Sequence, residues 1–329
     1  MKQCLFLLLV ALPACEPRTA KEADCPKEPR KVSPEALAYL ENRRKTPPFG
    51  DSSFDLDSLR RGMKSRNEPK DKSVKLKTVD AGAIPCEWVV APGADPAVRL
   101  LYIHGGGFVS GSGAHYLPMA AQISAAAKCA VLLPDYRLAP EHPFPAGLND
   151  CVDAYLWMLK NGPDGKAAAT TAFVAGDSAG GGLTLSTLLA LRDRKHPRPA
   201  AGIPLSPVTD FTFASDSLKT IVDPIISAKT MPEFRKLYLG DKDPRDPLAS
   251  PVFGDYRGLP PLLFLTGELE MLRDDSARAA RKACADGVPV TLEIWPGMVH
   301  VFPSRDLPES REAIELMAVF MAKAAARKP

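Results

Sequence analysis

One stretch constrains this chain more than any other. Residues 171–175 form an apolar, strand-like run, Gly176-Asp177-Ser178-Ala179-Gly180 follows at once, and a helical pattern begins at Gly181. A strand that turns into a helix within so few residues brings two backbones into contact, so positions 176 and 180 have no room for side chains. The turn forces Ser178 into a strained conformation and lifts its hydroxyl out of a sheet. There it stands at a helix N-terminus, where developing negative charge is favoured. A glycine-flanked serine in that setting is a candidate nucleophile, and it requires a sheet layered with helices.

The remainder of the chain has the matching alternation. Buried apolar runs at 98–103, 130–133, 172–175, 203–205, 262–266 and 290–294 alternate with helical patterns near 117–127, 148–159, 181–194, 276–286 and 310–326. Such alternation builds a mostly parallel sheet covered on both faces. Ahead of it, Ser33-Pro34 starts a first helix, 56–63 reads as a second, and 74–79 and 84–90 read as short strands. Gly162 and Gly287 stand where helix ends are wanted. Only 209–251, with prolines at 224, 232, 244 and 247, interrupts the winding. It belongs outside the sheet as part of a cap, with a helical piece near 232–238.

His104-Gly105-Gly106-Gly107-Phe108 ends the run at 98–103. Attack on an ester creates an oxyanion, and the unobstructed N–H groups of Gly105 and Gly106, joined by that of Ala179, are the expected donors to it. The spacings of phosphate-cradling glycine loops are absent from this stretch. Serine also needs a base. His300, in the turn after the last strand, has the right place for it. His104 belongs to the glycine loop, His115 comes too early for the order serine, acid, histidine, and His142 and His196 sit beside prolines in loops. The acid should follow the strand at 262–266, and Glu270 has cleared the strand end. Glu268 is its rival. Asp274 and Asp275 stand where a helix cap is expected, and Asp246 belongs to the insertion.

Composition narrows the partners. The net charge is +3, from 42 basic and 39 acidic residues spread along the 329-residue chain. No basic stripe follows a phosphate backbone, which excludes nucleic acid as a partner. Seven cysteines show neither C-x-x-C pairs nor metal-ligand spacing, so neither a metal nor an organic cofactor is called for. Cys129 and Cys151 read as small core residues. Met1-Lys2 and an apolar run at 5–12 have the form of a signal-peptide core, too short to be a bilayer span. Leu12-Pro13-Ala14-Cys15 resembles the bacterial lipoprotein cleavage box, with Pro13 unusual in it. The expectation for 1–15 is therefore export, to the periplasm or to a membrane through a lipidated Cys15, with a proline-rich tether at 16–32. Ordinary cleavage and secretion, or an uncleaved anchor, are the alternatives.

Together with Asp135-Tyr136-Arg137-Leu138-Ala139-Pro140-Glu141-His142-Pro143-Phe144-Pro145-Ala146, these motifs resemble the bacterial hormone-sensitive lipase family of carboxylesterases over about 98–302. The resemblance implies an α/β-hydrolase fold at 71–329, with a mostly parallel eight-stranded sheet flanked by helices. A helical cap would come from helices within 33–70 and from the insertion at 209–251. It implies hydrolysis of short to medium acyl esters of small molecules through an acyl-serine, with Ser178, His300 and Glu270 as triad and Gly105, Gly106 and Ala179 as oxyanion donors. Asp135 matches a support for the glycine loop, and a homodimer is compatible with the family. Glu270-Met271-Leu272 departs from the aspartate that many members carry in an Asp-Pro-Leu string. Two readings stay open beside this one: another acyl hydrolysis, of a carbohydrate acetyl ester, carbamate or peptide, and a ligand-binding protein on the same scaffold. The plant hormone receptors that resemble this family lack the working histidine, so His300 argues against the second.

Overall fold

The apolar runs in the middle of the sheet become strands because each is buried on both faces, while the edge run at 290–294 is only partly covered. Leu101, Ile103, Leu132 and Val174 enter one core, while Leu100, Tyr102, Val131 and Phe173 enter the other. Successive side chains point to opposite faces, so a strand sandwiched between helix layers must be apolar at every position. The computed structural model describes residues 30–327, so the leader, the Cys15 box and all but the end of the tether lie outside the described residues.

The strands are β1 Lys75–Ala81, β2 Ile84–Val90, β3 Asp95–Ile103, β4 Cys129–Pro134, β5 Thr171–Asp177, β6 Gly202–Leu205, β7 Leu262–Gly267 and β8 Val290–Trp295. They form one eight-stranded sheet in the order β1-β2-β4-β3-β5-β6-β7-β8. Strand β2 runs antiparallel to both β1 and β4, and the other pairings are parallel. The helices are α1 Pro34–Arg43, α2 Leu56–Met63, α3 Gly113–Ala127, α4 Ala146–Met158, α5 Ala179–Asp193, α6 Ser217–Thr220, α7 Met231–Leu239, α8 Arg273–Ala285 and α9 Pro308–Ala325. Helices α4, α5 and α8 cover one face, and α3 and α9 the other. Gly162 does not end a helix: α4 stops at Met158, and Gly162 lies in a two-residue hairpin with Gly165.

The segment 33–70 divides between two tasks. Helix α1, N-capped by Ser33, buries Ala36 and Leu40 in the α3–α9 core, and Ser33 donates from its N–H and hydroxyl to Glu309 at the start of α9. The stretch from Phe49 through α2 instead joins the insertion. The Phe49 N–H donates to the Ile225 carbonyl at 3.0 Å, and the Phe54 ring meets Phe234 of α7 edge-on at 5.3 Å. Arg60 of α2 fastens this roof to the body, donating to the carbonyls of Val109 and Ala139 and pairing with Glu141. Cys129 and Cys151 are buried in the two cores, as expected of small apolar residues, and burial pushes the Cys129 thiol up to about 12. Among the described residues no helix is long and apolar enough to cross a membrane, and no cluster of three or more His, Cys, Asp or Glu side chains could hold a metal.

Candidate active site

Between the end of β5 and the start of α5, Ser178 adopts φ 55° and ψ −119°. That backbone costs about 1–3 kcal/mol and persists only where neighbours enforce it. Here the Ser178 N–H donates to the Leu205 carbonyl at 2.8 Å, and the Ser178 carbonyl accepts from Gly182 at 3.0 Å and Val208 at 3.1 Å. A Cβ on Gly176 would lie 2.5 Å from the carbonyl oxygens of both Gly180 and Ile103, so the crowding inferred from the sequence is real. Asp177 and Ala179 are buried on either side, while Ser178 keeps an exposed fraction.

The turn after β8 brings His300 to this hydroxyl. Its Nε2 is 3.0 Å from Ser178 Oγ, and its Nδ1 is 3.1 Å from Glu270 Oε2. Glu270 is fully buried, and its other oxygen accepts from the Thr266 hydroxyl. The two loops are tied to each other and to the sheet: Leu269 donates to the Met298 carbonyl at 2.9 Å, and Val301 to the Ser206 hydroxyl at 3.2 Å. Glu268 faces elsewhere and accepts the Gly297 N–H at 2.9 Å. Asp274 and Asp275 do not cap α8. That helix begins three residues earlier than its apolar pattern suggests, at Arg273, which leaves both carboxylates in its first turn, facing the insertion. Asp275 accepts from the N–H groups of Thr209 and Asp210 and from the Ser215 hydroxyl, while Asp274 accepts the Ser217 N–H.

Burial alone would lower the His300 pKa, but the hydrogen bond and charge of Glu270, with the charges of Asp223 and Asp177, outweigh it and raise the pKa above the ordinary histidine value. Asp223 had no sequence signal. It arrives from the insertion, almost wholly buried, and its carboxylate accepts the N–H of Met271, next to Glu270, at 3.1 Å and that of Ile225 at 2.8 Å. Burial raises its pKa, against the pull of His300. Asp177 is likewise pushed up by burial, to about 6, although two tyrosines donate to it.

Those tyrosines bear on the glycine loop. Tyr102 and Tyr116 donate to the Asp177 carboxylate at 3.0 and 2.9 Å, and the Gly105 N–H points into the same group, 3.2 Å from Asp177 and 3.1 Å from the Tyr116 hydroxyl. Gly105, expected as an oxyanion donor, has therefore already committed its hydrogen, because side chains from β3, α3 and the elbow converge on it. The N–H groups of Gly106, Gly107 and Ala179 meet no acceptor among the described residues. Gly107 has φ +65°, and a Cβ on it would come within 2.6 Å of the Phe234 ring, so only glycine fits there. Asp135 accepts the Gly113 N–H at 2.6 Å, supporting the exit of this loop at the start of α3 rather than the glycines themselves. Their direct brace is Tyr136, whose hydroxyl donates to the His104 carbonyl at 2.9 Å and whose ring stacks on the imidazole at 4.3 Å.

Two spaces meet at Ser178 and His300. One is a chamber of about 440 Å³ walled by Phe49, Leu59 and Met63 from the N-terminal segment and by Ile225 and Ile226 from the insertion, with His115 and Arg305 at its polar side. The other is a more enclosed crevice of about 20 Å³ between Phe108, Val208, Phe211, Met231, Phe234 and Leu272.

A family model described as alpha/beta hydrolase fold matches residues 100–304. A crystal structure of an esterase from the bacterial hormone-sensitive lipase family superposes with a TM-score of 0.80 at 38% identity, covering 90% of this chain and 100% of that one. The chain belongs to the bacterial hormone-sensitive lipase family of serine carboxylesterases. An esterase/lipase from an uncultured bacterium is similarly close, with a TM-score of 0.83 at 39% identity over 90% of this esterase and 100% of the other chain. An acetyl-hydrolase of Streptomyces hygroscopicus is 40% identical over 248 residues, 74% of this chain and 81% of its own.

Proposed function

We propose that this esterase hydrolyses short acyl esters, acetyl esters above all, through Ser178, His300 and Glu270 and an acyl-serine intermediate. The observation that carries the reading is His300, which spans Ser178 at 3.0 Å and Glu270 at 3.1 Å where the chamber opens. With Glu270 accepting the Nδ1 proton, the Nε2 lone pair faces the serine hydroxyl and takes its proton as Oγ bonds to the acyl carbon. The oxyanion is received by the N–H groups of Gly106, Gly107 and Ala179, which replaces the sequence-based set of Gly105, Gly106 and Ala179. Each such donor is worth about 10² to 10³ in rate. His300 returns its proton to the departing alcohol oxygen, and water then repeats the sequence to free the acid.

The acyl part stays on Ser178 after the alcohol has left, so the enclosed crevice suits the acyl group and the open chamber suits the alcohol. At about 20 Å³ the crevice is close to the room that a single water needs, roughly 10–15 Å³, which fits a methyl group rather than a chain. The similarity to a protein named acetyl-hydrolase supports the same choice. Export and a lipid anchor on Cys15 belong to the proposal on the strength of the leader residues alone. The test is a series of p-nitrophenyl esters from acetyl to palmitoyl, run with Ser178→Ala in parallel. The expected kcat/KM is highest for acetyl and falls steeply along the series, with Ser178→Ala inactive. A preference for long chains, or activity in the alanine variant, would refute the reading.

A further inference from the structure

Three arginines outside the chamber wall are matched with acids, whereas Arg305, which lies in it, is not. Arg60 pairs with Glu141, Arg66 with Glu87 and Glu68, and Arg311 with Asp306. Arg305 lines the chamber together with Ser178 and His300, yet its guanidinium makes no hydrogen bond or ion pair among the described residues, and its Nε is buried without an acceptor. The adjacent Asp306 does not serve it, being held outward by Lys70 and Arg311. Asp177 is the one acid in the chamber wall, and its carboxylate is occupied by Tyr102, Tyr116 and Gly105. His115 offers no negative charge. Its Nδ1 faces Ser65 and Asn67, and burial, followed by the charge of Arg305, lowers its pKa and keeps it neutral.

A guanidinium is never neutralised in a protein, and its planar fork matches a carboxylate in two parallel hydrogen bonds. The chamber therefore has a fixed positive charge on a guanidinium to which no carboxylate is paired, with a buried donor that nothing meets. The crevice on the other side of Ser178 is lined by Phe108, Phe211, Met231 and Phe234 and, beyond the reacting groups of Gly107, Ser178 and His300, has no charged or hydrogen-bonding side chain. We propose that Arg305 selects esters whose alcohol part carries a carboxylate, so that the preferred substrate is a short acyl ester of a hydroxy acid. This rests on the assignment of the acyl group to the crevice and the alcohol to the chamber.

The test compares 3-acetoxybenzoate with the neutral 3-acetoxybenzamide, which share the acetyl group and nearly the same phenol leaving group. In the unaltered esterase kcat/KM is expected to favour the anionic ester, and added salt should reduce the preference because the chamber is open to solvent. In Arg305→Gln the ratio of the two kcat/KM values should fall roughly 10- to 100-fold, the scale of a charge-assisted hydrogen-bonded pair. Arg305→Lys should retain part of it, keeping the charge without the fork. Equal rates on both esters in the unaltered enzyme, or the same ratio in Arg305→Gln, would overturn the role of Arg305 while leaving acetyl ester hydrolysis standing. Failure to cleave either ester would overturn both.

Discussion

Replacing Glu270 with glutamine removes one charge and almost no volume from the most buried part of the site. The carboxylate lies 3.1 Å from His300 Nδ1 and has no exposure to solvent, so it faces the imidazolium that forms during attack with little screening. At an effective dielectric constant near 20, a unit pair about 4 Å apart is worth about 4 kcal/mol. Losing that stabilisation is worth about 10³ in kcat. The amide adds a second problem. If its NH2 faces Nδ1, the imidazole is driven into the tautomer that cannot accept the serine proton. If its oxygen faces Nδ1, the NH2 faces Thr266, whose hydroxyl can turn to accept. The expected fall in kcat is therefore between about 10³ and 10⁴, the upper value being that of the corresponding Asp-to-Asn change in a serine protease. Substrate binding should change little, because Glu270 lines neither space at Ser178. The assay is steady-state hydrolysis of p-nitrophenyl acetate by variants shown to be folded by thermal melting, with Glu268→Gln alongside. The Glu268 amide can still accept the Gly297 N–H, so that variant should stay active. A kcat for Glu270→Gln within about tenfold of the parent, or collapse of Glu268→Gln instead, would show that Glu270 is not the acid that orients His300.

Three further outcomes are expected. Asp223→Asn keeps one acceptor oxygen, for the Ile225 N–H, gives up the one that receives Met271, and removes a charge that raises the His300 pKa, so the acid limb of the kcat/KM pH profile should move to lower pH; an unmoved limb would contradict it. Phe234→Ala opens the crevice and should shift the acyl preference from acetyl towards hexanoyl, at a stability cost of about 3–5 kcal/mol, and an unchanged ester series would show that the acyl group lies elsewhere. Asp275 is held at about 6 by burial, so its native form binds more protons than the unfolded chain between roughly pH 4 and 6, and stability should fall by about 3 kcal/mol as pH rises through that window. Asp275→Asn should remove that component, as measured by urea unfolding at several pH values, and a slope identical to the parent's would contradict the burial argument.

What could be read in advance was whatever leaves a local mark. The elbow is legible because backbone crowding excludes side chains at 176 and 180, and α2 reads over 56–63, the bounds it has in the structure. Glu270 and His300 follow from chain order, since both loops must rise from the ends of β7 and β8. The oxyanion loop was half legible: its glycines announce a close approach, but which N–H is free depends on Tyr102, Tyr116 and Asp177, brought in from three other elements. The capping role expected of Asp274 and Asp275 failed because the first turn of α8 is polar, and apolar periodicity cannot locate a helix start that carries no apolar residue. Asp223 and Arg305 left no pattern at all. Each matters through where the insertion or the turn after His300 comes to rest, 47 residues before Glu270 in the one case and 5 after His300 in the other.

In the proposed mechanism Ser178 alone carries the acyl group. A methylphosphonate ester with a p-nitrophenyl leaving group matches the small crevice and mimics the tetrahedral intermediate. Intact-mass and peptide mass spectrometry of the treated esterase should find one adduct, on Ser178, with activity lost in proportion to labelling. His300→Ala should label far more slowly, because the hydroxyl then has no base. An adduct on any other residue, or full activity in enzyme stoichiometrically modified at Ser178, would contradict the mechanism.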